Sequence, residues 1–154
     1  MTPRVAIIVS EYHTFVTHGL EAGARAALHE AGWPDEAIDR WPVPGAYELA
    51  QAAKRVAEGG RAAAVICLGC LIRGETPHFD YIAQAAAHGI MHAAQATGVP
   101  VTFGLLTTNT VEEAIARSGE GSMNKGREAA TAALSMVALY RQVAGADGTG
   151  PSWD

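Results

Sequence analysis

The chain has 154 residues, 49% of them hydrophobic and 18% charged, with 11 Lys and Arg against 16 Asp and Glu for a net charge of −5. That length and apolar content suit one domain with a core of its own, needing no disulfide or metal staple, and exclude a disordered polypeptide. The acidic balance without a basic block argues against nucleic acid or an anionic membrane surface as partner. No apolar run reaches the ~18 residues that span a bilayer, and residues 1–10 lack the features of a signal peptide, so a cytoplasmic protein is expected.

Residues 5–9 are a continuous branched apolar run, the mark of a strand buried on both faces of a parallel sheet. Residues 14–31, rich in Ala and Leu and ending near Gly32, predict a helix with Val16, Leu20, Ala24 and Ala27 on one face. A second strand follows at 38–43. Pro44-Gly45 then punctuates a turn, and a helix over 46–58 is stopped by Gly59-Gly60. Residues 63–72 form the longest strand candidate. After the loop Arg73-Gly74-Glu75, Thr76-Pro77 has the pattern of an N-cap followed by proline at the first helical position. That helix runs over 77–97 with Gly98 past its end. A fourth strand at 101–106, a short helix at 111–117, a glycine-rich break at 118–123 and a last helix at 124–143 complete the order. Residues 144–154 are expected to be a flexible C-terminal tail after a single domain at 1–143.

Strands alternating with helices imply right-handed crossovers and a parallel sheet with helices on both faces, a three-layer α/β sandwich with four parallel strands. Alanine is far above ordinary usage, so helices can lie close, but each adds a thinner core, and burial can need completing against other subunits.

Cys67 and Cys70 are spaced C-x-x-C, but within a strand, where a separation of three puts side chains on opposite faces. They read as ordinary buried residues, not as a redox pair or a zinc site. His88 and His92, at i and i+4, lack a third ligand, so no metal is expected. Gly121-Ser122-Met123-Asn124-Lys125-Gly126 imitates a nucleotide phosphate loop only superficially. It follows a helix, and Gly126 stands where that motif needs Ser or Thr.

In an open α/β sheet, ligands sit beyond the carboxyl ends of the strands. The loops expected there carry most of the chain's unusual residues. Gly74-Glu75-Thr76 enters a helix whose unpaired N–H groups can hold a phosphate, or it forms only a cap. His78, in the first helical turn near Asp80, suits a proton shuttle, although a lone histidine is often simply solvent-facing. Arg117 closes a short helix, where a cation fits the dipole and can also pin a phosphate bidentately. Tyr12, directly after the first strand, can stack on a planar ring or be a partly buried loop residue.

Taken together, these segments resemble the lumazine synthase family of riboflavin biosynthesis. The resemblance rests on Val43-Pro44-Gly45-Ala46-Tyr47-Glu48, on Ile72-Arg73-Gly74-Glu75-Thr76-Pro77-His78-Phe79-Asp80-Tyr81 and on Gly98-Val99-Pro100-Val101-Thr102-Phe103-Gly104. It continues in Thr107-Thr108-Asn109-Thr110, Ala114-Ile115-Ala116-Arg117 and Asn124-Lys125-Gly126, and covers about 5–140. It implies a flavodoxin-like fold and a cofactor-independent condensation of 5-amino-6-(D-ribitylamino)uracil with 3,4-dihydroxy-2-butanone 4-phosphate. By the same resemblance His78 is the general acid/base. Glu75, Thr76 and Arg117 form the phosphate site, Tyr12 stacks on the pyrimidine, and Ala46, Tyr47 and Glu48 face the ribityl chain. Cys70, Leu71 and Ile72 would read the pyrimidine edge through their backbone. Phe103, Arg117 and Lys125 would come from a neighbouring subunit of a homo-oligomer built from pentamer rings, with a free pentamer favoured over a decamer or a sixty-subunit shell. One departure stands out: the family commonly has Arg-Phe-Asn where this chain has Glu11-Tyr12-His13. A flavodoxin-like FMN carrier would need a Ser/Thr/Gly-rich loop there, which this chain lacks.

Overall fold

A computed structural model describes residues 3–146. Strands β1 (Arg4–Ser10), β2 (Ile38–Val43), β3 (Ala62–Ile72) and β4 (Val101–Thr108) alternate with helices α1 (Thr14–Glu30), α2 (Leu49–Glu58), α3 (His78–Thr97), α4 (Val111–Ala116) and α5 (Lys125–Ala146). The strands form one sheet in the order β2-β1-β3-β4, and every pair is parallel. The expected flavodoxin-like three-layer sandwich is what the chain adopts.

The two-residue alternation of a strand builds two cores. Val5, Ile7 and Val9 pack with Val16, Leu20, Leu28, Ala130 and Ala133 of α1 and α5 on one face. Ala6 and Ile8 pack with Leu49, Ala53, Ala86 and Ile90 of α2 and α3 on the other. Cys67 belongs to the second core and Cys70 to the first, so the two thiols lie on opposite faces of the sheet. Burial pushes Cys67 up to about 12 and Cys70 up to about 11, which keeps both in the unreactive thiol form at neutral pH.

Small residues let α1 and α5 touch. A Cβ on Gly126 would land on the backbone carbonyl of Leu20, and one on Gly19 would meet the carbonyl of Ser118. Packing therefore accounts for glycine at position 126, where a phosphate loop would have a hydroxyl. Buried Asn124 locks this contact. Its amide donates to Gly19 O at 3.0 Å and Gly119 O at 2.8 Å, and its Oδ1 accepts from Arg127 N at 3.0 Å, capping α5.

Several boundaries differ from the sequence expectation. The helix expected from 46 begins as a 3₁₀ turn, Ala46–Glu48, before α2. No side chain caps α3: Pro77 occupies the cap position and its carbonyl accepts from Asp80 N at 3.0 Å. Thr76 therefore sits one residue too early to cap. Strand β4 continues to Thr108, past the expected end at 106, which leaves Phe103 in its amino-terminal half. Helix α5 continues to Ala146, so the first part of the expected tail is helical, and residues 147–154 lie outside those described. No helix among the described residues is long and apolar enough to cross a membrane.

Gly126→Ala is expected to destabilise the fold by about 1–3 kcal/mol, because the added methyl must push α1 and α5 apart. Denaturant unfolding followed by circular dichroism checks this. A cost below about 0.5 kcal/mol would show that the contact yields freely.

Candidate functional site

The sheet order reverses between β1 and β3, the place where an open α/β sheet forms a crevice. The register of β3 with β1 stops at the pair Val9↔Leu68, while that with β4 continues to Ile72↔Thr108. Beyond Leu68, then, β3 has a partner on one side only. Val65 N donates to Pro100 O and Arg73 N to Thr108 O, both at 2.8 Å, so odd-numbered residues turn their peptide groups toward β4. By alternation, Cys70 and Ile72 turn theirs toward the crevice, where the β1 ladder has ended. The Cys70 side chain does not reach the crevice, because its thiol is buried in the opposite core. Only its backbone faces the site.

A cavity of about 1090 Å³ fills this crevice. Of the residues singled out from sequence, Tyr12, Ala46, Tyr47, Glu48, Leu71, Ile72, Thr76 and His78 line it. Tyr12 is 63% exposed, so it is not the partly buried loop residue that was one of its two readings. His78 is the exposed first residue of α3. Glu75 is exposed in the loop between the lining residues Gly74 and Thr76, and its side chain is not part of the wall.

The remaining singled-out residues lie elsewhere. Phe103, Arg117 and Lys125 line a second, polar depression of about 430 Å³, with Thr107, Asn109 and Ser122 on the β4–α4–α5 side. Arg117 donates through an Nη to Glu113 O at 3.0 Å, and Lys125 Nζ pairs with Glu128 at 3.2 Å. Lys125 N donates to Arg117 O at 2.8 Å, which ties the two cations together through the backbone. One chain thus separates Arg117 from Thr76, and the phosphate trio expected from sequence is not assembled within it.

Long-range contacts set the loops. Glu11, the acidic departure, is 3.9 Å from Arg40 of β2, whose Nε also donates to Glu21 of α1 at 2.9 Å. Its charge is matched on that side. His13, which opens α1, has φ 63° and ψ 52°, a left-handed backbone that favours Gly or Asn, and is the one such non-glycine residue among those described. Its ring stands edge-on to Tyr12 at 4.5 Å and to Phe15 at 5.6 Å, and burial holds its pKa below the ordinary histidine value. Asp80, which from sequence stands close behind His78, instead turns its carboxylate to Arg73 at 3.3 Å.

His13, Phe15, Phe79, Tyr81, Ile82 and Val111, to which the sequence assigns no role, also line the cavity. Two of these were accessible: Tyr81 and Ile82 follow His78 by three and four residues and so share its helix face. The Thr110–Glu113 capping box, which orders the loop before α4, was also visible as T-x-x-E.

Comparison with known proteins shows the family of the chain. The family model described as 6,7-dimethyl-8-ribityllumazine synthase matches residues 2–141. The protein "6,7-dimethyl-8-ribityllumazine synthase 1" of Caulobacter vibrioides is 50% identical over 141 residues, 92% of each chain. The "6,7-dimethyl-8-ribityllumazine synthase" of Desulfatibacillum aliphaticivorans is 45% identical over 139 residues, 90% of each chain.

The left-handed backbone at His13 generates a test. His13→Val is expected to cost about 1–2 kcal/mol, whereas His13→Gly and His13→Asn should fall within about 0.5 kcal/mol of the parent. Unfolding midpoints distinguish the causes. A glycine variant as damaged as the valine one would assign the cost to lost ring contacts.

Proposed function

This chain belongs to the 6,7-dimethyl-8-ribityllumazine synthase family and is a transferase of riboflavin biosynthesis; on that premise we propose that it condenses 5-amino-6-(D-ribitylamino)uracil with 3,4-dihydroxy-2-butanone 4-phosphate to give 6,7-dimethyl-8-ribityllumazine, phosphate and water. The observation that carries the proposal is the crevice itself. It gathers exposed aromatic rings, backbone groups outside the sheet ladder and an imidazole around one space at the top of the usual size range for a ligand pocket.

In this reading the pyrimidine stacks on Tyr12 and presents its polar edge to the free backbone of Cys70 and Ile72, next to Leu71. The ribityl chain runs along Ala46, Tyr47 and Glu48. The substrate amine attacks the ketone and loses water to form an imine. His78 accepts the proton from the adjacent carbon and the phosphate leaves with its bonding pair. The enol left by that elimination tautomerises to a methyl ketone, the second nitrogen closes the ring on this new carbonyl, and a second water departs. Each step moves a proton at or beside a carbonyl carbon, chemistry that a positioned imidazole can serve without a cofactor. Holding two substrates together supplies much of the rate.

The phosphate needs positive charge, yet among the described residues no Lys or Arg lines the cavity. Thr76 and the backbone near Glu75 offer only neutral donors on this side. We therefore infer that a second copy docks its Phe103, Arg117 and Lys125 against the open mouth, making a homo-oligomer with shared sites. Tyr12, Phe15, Tyr47, Tyr81 and Val111 stay exposed around that mouth, an apolar patch of the kind that marks an interface. Head-to-tail contacts of this sort close into rings, and a free pentamer is the favoured assembly. The chain is taken as one domain whose last helix runs to Ala146, and two unpaired buried thiols suit a reducing cytoplasm.

Incubating the protein with both substrates should produce lumazine fluorescence together with inorganic phosphate. Arg117→Ala should raise the KM for the phosphorylated ketone about tenfold or more while leaving that for the pyrimidine within about twofold. No product from the parent protein, or equal changes in both KM values, would contradict the assignment.

Light scattering tests the shared site. A ring should give a mass several times the 16.0 kDa of one chain. A 16.0 kDa particle that is active would overturn the shared-site model, and a megadalton particle would overturn only the choice of pentamer.

A further inference from the structure

Arg73 stands at the end of β3 and joins three pieces of the molecule. Its backbone N–H donates to Thr108 O at 2.8 Å, and its Nε donates to Asn109 Oδ1 at 3.0 Å, both in the segment leaving β4. Its guanidinium pairs with Asp80 at 3.3 Å and lies over the Phe79 ring, 4.5 Å from the centroid. Asp80 and Phe79 belong to the first turn of α3, the turn that begins with His78. No side chain caps that turn, and the residue before it is a proline without an N–H. Arg73 therefore supplies a side-chain restraint at a helix start that has no cap of its own.

We propose that Arg73 is a positioning residue for His78: it fixes the first turn of α3 against the β4–α4 segment, and so sets where the imidazole stands over the crevice. This rests on the reading of His78 as the proton shuttle. The guanidinium suits the task because its planar fork binds a carboxylate and an amide oxygen while one face covers an aromatic ring, which an ammonium group cannot do at once. The ion pair is half-exposed, so its contribution to stability is small; its effect is on geometry. A shuttle displaced by a fraction of an ångström loses turnover without losing substrate affinity.

The test is a double-mutant cycle on the full-length protein with both substrates. Arg73→Met is expected to lower kcat about tenfold to a hundredfold, with both KM values within about threefold and the thermal midpoint nearly unchanged. His78→Gln should lower kcat by a comparable factor. In the His78→Gln background, Arg73→Met should cost less than about twofold more, because its effect passes through the imidazole. Equal losses in both backgrounds, or an unchanged kcat in folded Arg73→Met, would overturn the positioning role. Full turnover in His78→Gln alone would instead remove the proton-shuttle reading on which the proposal stands. Should Arg73→Met fail to fold, Asn109→Ala cuts the same tie from its other end, and the same cycle decides with that variant.

Discussion

The unequal lengths of the two central strands govern everything at the functional end of this molecule. Strand β3 spans 11 residues and continues past the last residue pair it shares with β1. The two chains then diverge to opposite sides: β1 leads into α1 on one face of the sheet, and β3 leads into α3 on the other. Divergence at a reversal of strand order opens the crevice, and the extra length of β3 supplies backbone groups with no sheet partner to one of its walls. Ordinary hydrophobic alternation, which buries both faces of both strands, thus builds a polar strip as a by-product of topology.

Much of this was legible along the chain because it is local. The branched run at 5–9, the helix ends at Gly32 and Gly98, and the alternation that separates Cys67 from Cys70 each depend on neighbours a few residues away. Gly98, for instance, adopts φ 74° and its N–H donates to Ala94 O, the helix stop its position implies. Where the reading slipped, the cause was also local. The Thr76-Pro77 pattern predicts proline at the first helical position, but here Pro77 holds the cap position, and Thr76 is displaced with it. Small residues at 144–146 look like tail by composition, yet α5 still includes them.

Long-range pairing was hidden. Arg73 and Asn109 are 36 positions apart, and nothing in either segment announces the other. The acidic residue at position 11 reads in isolation as a charge reversed beside an anionic substrate. In three dimensions Arg40, brought alongside by the β1–β2 pairing, faces it. His13 is a further case: it holds the left-handed region, uncommon for a residue with a Cβ, at the rim of the crevice, its ring edge-on to Tyr12 and Phe15. Strain of that kind belongs to loops whose shape is set by something other than their own preference.

The separation of charge from apolar surface has the widest consequence. The crevice presents rings, a carboxylate and two imidazoles, and the cations stand together in a different depression of the same chain. A neutral ring system is accommodated by the first without the second; a phosphorylated molecule is not, because a dianion in a partly closed site needs cations to offset its lost hydration. If the two surfaces meet between copies, substrate binding and subunit association become one equilibrium. Each phosphate bound then stabilises the interface by the same free energy that the interface lends to the phosphate. A thin, alanine-rich domain fits such an arrangement: part of what its own core lacks in bulk would be made up at the surface where its chemistry is completed.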